Sequence, residues 1–115
     1  MSYLLLIVEP AGQRHDRGPE AGRAAYEQML RYTDSLKARG VLAGTNSLKS
    51  QGVRLSIRDG RRTVTDGPFT EAKEFVGGYF LLNVKTRAEA LAFAGECPAA
   101  AWGTVEVRET GPCYD

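Results

Sequence analysis

The period of hydrophobic and polar positions changes several times along the chain, and each change marks an element. Residues 3–8, Tyr3-Leu4-Leu5-Leu6-Ile7-Val8, form an unbroken apolar run of strand length. Glu9-Pro10-Ala11-Gly12 ends that run, and the polar stretch 13–18 reads as an exposed loop. Pro19 suits the first turn of a helix, where its missing N–H leaves no bond unmade. Glu20 adds a negative charge at the positive end of the helix dipole. Ala25, Met29, Tyr32 or Thr33, and Leu36 then recur at helical spacing, which predicts a helix over 19–39 with one apolar face. Lys37 and Arg39 favour its negative end, and Gly40 is the expected stop.

Residues 41–48 read as a second strand, weakened by Gly44. After Gln51-Gly52, Val53, Leu55 and Ile57 alternate with Arg54, Ser56 and Arg58, which predicts a strand with one buried face. Asp59-Gly60 is a two-residue hairpin signal, because both central positions want positive φ. The return strand is expected over 61–65 with Val64 inward, and Asp66-Gly67-Pro68-Phe69 breaks it. Residues 70–74 suggest a short helical turn, and Gly77-Gly78 leads into a further apolar strand over 79–84. Thr86 and Glu89 form a capping box for a helix that carries Ala90, Leu91 and Ala94 inward. That helix ends near Gly95, and Pro98 prevents its continuation. Residues 105–108 alternate as an edge strand.

Setting the arginine-rich hairpin aside leaves β-α-β twice. The predicted fold is therefore α+β: a ferredoxin-like βαββαβ core with an extra β-hairpin, an antiparallel sheet and two helices on one face. Its central strands are the two unbroken apolar runs, and its edges are the more polar strands. Helices cover only one face of such a sheet, yet the central strands are apolar on both. The second face needs a cover, and the pattern predicts a homodimer with the sheets packed face to face. The competing arrangement folds the hairpin over that face within one chain.

Composition adds mostly exclusions. The 115 residues suit one domain, 1–115. Fifteen Lys plus Arg against fourteen Asp plus Glu give a net charge of +1, so bulk charge proposes no nucleic-acid partner. The apolar run at 3–8 is too short to cross a membrane and has no signal-peptide flanks, so the expected location is the cytoplasm. One histidine and two distant cysteines, Cys97 and Cys113, supply no usual zinc set, and no phosphate loop or dinucleotide fingerprint appears. No metal or cofactor is therefore expected.

Asp66-Gly67-Pro68-Phe69, followed by Lys73-Glu74 and Gly77-Gly78-Tyr79, resembles the signature of the DGPF group of YCII-related proteins. Supporting residues are the N-terminal Tyr3-Leu4-Leu5 strand, Thr63-Val64-Thr65, Cys97-Pro98 and Val105-Glu106-Val107-Arg108, so the similarity runs over 1–109. The resemblance implies a dimeric α/β-barrel of ferredoxin-like protomers and a bacterial protein. Relatives occur beside or fused to extracytoplasmic-function sigma factors, which implies a link to transcription. For the wider superfamily an enzyme-like role has been suggested from a pocket with a His and an Asp. Wider relatives carry a histidine on the first helix. Here the expected helix has none, and the sole histidine, His15, falls in the loop before it. The acid/base arrangement is therefore not expected intact.

Asp66 admits two readings. As a carboxylate at a strand end it is a base or a ligand acceptor. As an Asx-type turn it holds Gly67-Pro68 in place by accepting backbone N–H groups, with Phe69 as a core anchor. His15 is the only side chain whose ordinary titration lies near neutrality, although a loop histidine between arginines is normally just solvated. Arg54, Arg58, Arg61 and Arg62 read as an anion or partner strip, or as a solvated face that discourages edge pairing. Cys97, without a nearby histidine, reads as a buried helix-end residue.

The expected site thus comprises Asp66 and His15 as catalytic candidates, and Asp66, Gly67, Pro68, Phe69 and Lys73 as ligand-binding candidates. The expected function is binding of, or acid/base chemistry on, a small polar metabolite. The alternative is a non-catalytic interaction or regulatory module with a protein partner in transcription.

Overall fold

The computed structural model describes residues 2–67 and 72–114. Its elements are β1 (Tyr3–Pro10), α1 (Gln13–Ala38), β2 (Leu42–Ser47), β3 (Val53–Arg58), β4 (Arg61–Asp66), β5 (Glu74–Leu82), α2 (Arg87–Gly95) and β6 (Thr104–Glu109). A short 3-10 turn, Pro98–Ala101, lies between α2 and β6. The main sheet has the order β2-β5-β1-β6 with every pair antiparallel. This is the ferredoxin-like order, with the two most apolar strands in the middle. The β3–β4 hairpin is a separate two-stranded sheet.

Burial alternates along β1 because successive side chains point to opposite faces. Tyr3, Leu5 and Ile7 face the helices together with Phe80 and Leu82 of β5. Tyr32 and Leu36 of α1, and Ala90 and Ala94 of α2, close that core from the other side. The Tyr32 and Phe80 rings meet edge-on at 5.2 Å, and the Tyr32 hydroxyl donates to the Phe93 carbonyl at 2.7 Å. Burial raises the Tyr32 pKa, so the phenol stays a donor. On the opposite face Leu4, Leu6 and Val8 lie beside Leu81, Tyr79 and Val76 of β5 and are only partly buried.

Several expectations are corrected. β1 runs on through Glu9 to Pro10, and Glu9 is buried. Helix begins at Gln13, so 13–17 is not a loop and His15 lies on α1. Gly18, at φ 82° and ψ 167°, breaks the helical path, and Pro19 opens the longer segment that the apolar spacing identified. Only glycine takes that φ without strain. Gly77-Gly78 lies inside β5 rather than ahead of it, and the strand ends at Leu82. Leu91 is exposed. Val53, Leu55, Ile57 and Val64, expected inward, are each more than half exposed. The hairpin carries them away from the core. The helical turn expected over 70–74 falls partly outside the described residues, and β5 already begins at Glu74.

The turns follow the local chemistry. Asp59 and Gly60 have φ of 53° and 74°, the double positive that the hairpin requires. The Thr86 side chain accepts the Glu89 N–H at 3.1 Å and caps α2. Gly40, at φ 71°, ends α1.

Two substitutions test this core. Leu36 is fully buried, so Leu36→Ala is expected to cost about 3 kcal/mol. Thr86→Ala removes one cap and is expected to cost about 1 kcal/mol. Chemical denaturation measures both, and a Leu36→Ala cost no larger than that of Thr86→Ala contradicts the assignment.

Candidate functional site

A cleft of about 990 Å³ opens between α1 and the helix-facing side of the sheet. That is the size of a small-molecule site. Its apolar wall includes Ile7, Phe80, Ala25 and Met29. Tyr26 and Leu30, both exposed, continue this wall along α1, and Thr45, Asn46 and Ser47 of β2 form the polar side.

One end of the cleft is built around a buried carboxylate. Glu9 is 6% exposed, and the Arg14 guanidinium meets it in a two-point bond, Nε to Oε1 at 2.9 Å and Nη2 to Oε2 at 2.7 Å. Nη2 also donates to the Gly77 carbonyl at 3.2 Å, and Nη1 to the Leu48 carbonyl at 2.7 Å. The guanidinium also lies over the Phe75 ring, 5.1 Å from its centroid. One side chain thereby ties β1, α1, the strand exit after β2, and β5 together.

β5 makes room for this pair with a bulge. Ile7 pairs with Gly78 and Val8 with Val76, leaving Gly77 as the extra residue. A Cβ on Gly77 would stand 1.6 Å from Glu9 Oε2 and 2.6 Å from Arg14 Nη2. No side chain fits there. Gly78 is less restrictive, its added Cβ meeting the Asn46 carbonyl at 3.1 Å.

The first turn of α1 is fixed by a second set of bonds. Gln13 Nε2 donates to the Trp102 carbonyl at 2.6 Å, and Arg17 Nη2 donates to Gln13 Oε1 at 3.0 Å. The Arg17 guanidinium sits over the Trp102 ring, 5.4 Å from its centroid. Arg14, Arg17, Trp102 and His15 all line the cleft.

The sequence-identified residues are not all brought together. His15 lines the cleft mouth, with Nδ1 3.6 Å from Asp16 Oδ1, and both side chains are exposed. Asp66 ends β4 opposite Val53 and is exposed, and it is not a lining residue. The Gly67 N–H donates to the Gly52 carbonyl at 2.9 Å, closing the base of the hairpin. The Lys73 carbonyl accepts the Ala11 N–H at 2.8 Å. Pro68 and Phe69 lie outside the described residues. Arg54, Arg58 and Arg61 share one hairpin face, and Arg62 lies on the other, beside Ile57. Cys97 is buried, and desolvation pushes its thiol up, which disfavours the thiolate nucleophile.

Sequence reasoning missed Glu9, Arg14, Arg17, Gly77 and Trp102 as parts of this end of the cleft. Two signals stood in the chain: a carboxylate closing an apolar run, and a glycine pair within an apolar strand.

A family model described as the YCII-related domain matches residues 1–112. No curated protein matches the chain. Among solved structures, the chain is similar to 5-chloro-2-hydroxyhydroquinone dehydrochlorinase (TftG) from Burkholderia phenoliruptrix AC1100, in its complex with 2,5-dihydroxybenzoquinone. The TM-score is 0.50 at 17% identity, covering 96% of this chain and 94% of that chain. At that identity the likeness concerns the fold.

The Glu9–Arg14 pair depends on the bare backbone at Gly77. Gly77→Ala is therefore expected to cost about 3 kcal/mol, since its Cβ would displace the buried Glu9 carboxylate from its partner. Gly22→Ala, in open space on α1, is expected to be neutral or stabilising by about 0.5 kcal/mol. Equal stability of the two variants in denaturant would show that the pair does not organise this end of the cleft.

Proposed function

Because the chain belongs to the YCII-related domain family, we propose that it binds a small organic molecule in the cleft between α1 and the sheet and acts there as an enzyme-like protein. The observation that carries this reading is a cleft of ligand size with an apolar wall, closed at one end by side chains that other elements hold in place. Prearranged polar groups against an apolar wall are what orient a small ligand. A protein of the same fold solved with 2,5-dihydroxybenzoquinone bound supports it.

The chemistry proposed is general acid/base transfer on a small polar metabolite. His15 is the group at the cleft mouth, with the Asp16 carboxylate beside it. Asp66 is the second candidate. It serves either as the carboxylate that meets a ligand or as the residue that sets the turn into Gly67, Pro68 and Phe69, with Lys73 following. A thermal-shift comparison separates the two roles. A ligand at about 100 times its dissociation constant adds about 2.7 kcal/mol. Screened against polar metabolites and 2,5-dihydroxybenzoquinone, the wild type is expected to show a stabilising hit. Loss of that hit in a folded Asp66→Asn variant assigns Asp66 to the site. Retention of the hit with a lower melting point assigns it to the turn.

The functional form proposed is a homodimer. Leu4, Leu6, Val8 and Leu81 are partly exposed on the helix-free face, and the hairpin adds the exposed Val53, Leu55, Ile57 and Val64. The radius of gyration, 16.0 Å, exceeds the about 13 Å of a compact chain of this length, because the hairpin stands off. A two-stranded hairpin is marginal on its own, so packing against a second copy accounts for both surfaces. Light scattering is expected to give twice the chain mass for the wild type and the chain mass for Leu6→Glu. A wild-type monomer at micromolar protein would defeat the dimer.

The hairpin also favours a second reading, a regulatory module that holds a protein partner in transcription through Arg58 and Arg61. Charge reversal at both would then abolish the partner's capture without changing the thermal-shift hit.

A further inference from the structure

The cleft's charged lining is one-sided. Among the described residues, Arg14, Arg17, His15 and Lys37 line it, and no aspartate or glutamate does. The whole chain is nearly balanced at +1, so this is a local arrangement. Lys37 is eighteen residues beyond Pro19 on the segment of α1 after the Gly18 break, about 27 Å along that helix, and cannot share a small ligand with Arg17. The arginine end is therefore the cationic pole.

The two arginines there have different duties. A guanidinium offers five N–H donors. Arg14 spends four of them on Glu9, Leu48 and Gly77, and its charge is offset by Glu9. It keeps one Nη1 donor and a fixed orientation. Arg17 makes one side-chain bond among the described residues, to the neutral Gln13 amide. Its charge has no carboxylate partner there, and the guanidinium carbon lies over the Trp102 ring, 5.4 Å from its centroid. Uncompensated and with donors to spare, it is suited to a two-point bond with a carboxylate or a similar planar anion. The cleft's apolar lining includes Ile7, Phe80 and Met29.

We propose that the cleft is specific for an organic acid with an apolar, ring-sized body, its anionic group on Arg17 and its body against the cleft's apolar lining. This rests on the cleft being the binding site and adds the class of ligand.

The test uses 2-naphthoate, its uncharged isostere 2-naphthamide, and calorimetric titration of the full chain. The wild type is expected to bind the acid at least tenfold more tightly than the amide. Arg17→Gln is expected to bring the acid to the affinity of the amide, Arg17→Lys to restore only part of the difference, since it returns the charge without the two-point bond, and Lys37→Gln to leave it unchanged. The Arg17→Lys variant also reports that the Arg17→Gln effect is one of charge rather than folding. Equal binding of acid and amide by the wild type overturns the anion assignment and leaves the cleft as the site. Binding of neither overturns both. An acid preference that survives Arg17→Gln but falls with Lys37→Gln overturns the location of the pole.

Discussion

The arrangement around the cleft depends on one ion pair, a buried carboxylate and a half-buried guanidinium. Glu9 stands at the end of a central strand where the core would otherwise take an apolar residue. A lone carboxylate there would be costly, and a guanidinium that satisfies both its oxygens removes most of the cost. Arg14 can do so only because β5 carries a glycine bulge beneath it. A buried pair is weak evidence for stability, since apolar residues of similar volume serve as well. What this one does is fix position. It aligns the first turn of α1 with the end of β2 and the bulge of β5, and these three border the polar end of the cleft.

The same economy explains the kink at Gly18. A helix continuing straight back from Pro19 would not have to carry Gln13 and Arg14 onto their partners. The break lets the first turn be placed by tertiary bonds, Gln13 to Trp102 and Arg14 to Glu9, while the longer segment follows its own apolar stripe into the core. Residues 25–36 pack on the sheet and line the apolar wall of the cleft, and Arg14 and Arg17 border its polar end.

Much of the fold was legible because local rules and topology agreed. The Asp59-Gly60 turn, the Thr86 cap, the Gly40 stop and the two apolar central strands each had a local cause, and the strand order followed from them. The YCII-related identity was legible for the same reason, in motifs spread along the chain. The first turn of α1 was hidden because its five residues carry no apolar period and their stability comes from distant partners. The outward apolar face of the hairpin was misread as inward, since alternation reports two faces but not which is covered. The cleft was the least legible feature. Asp66 stood out as a motif residue, yet the cleft is lined by Arg14, Arg17 and Trp102, which become neighbours only through packing between elements far apart in sequence.

The most direct test of the account is a nuclear magnetic resonance titration of isotope-labelled protein with 2-naphthoate. The expected result is a set of shifting signals confined to Arg17, Gly77, Gly78, Phe80 and the Trp102 indole N–H. Shifts confined to the hairpin over 53–66, or saturation with none of the cleft signals moving, would contradict it.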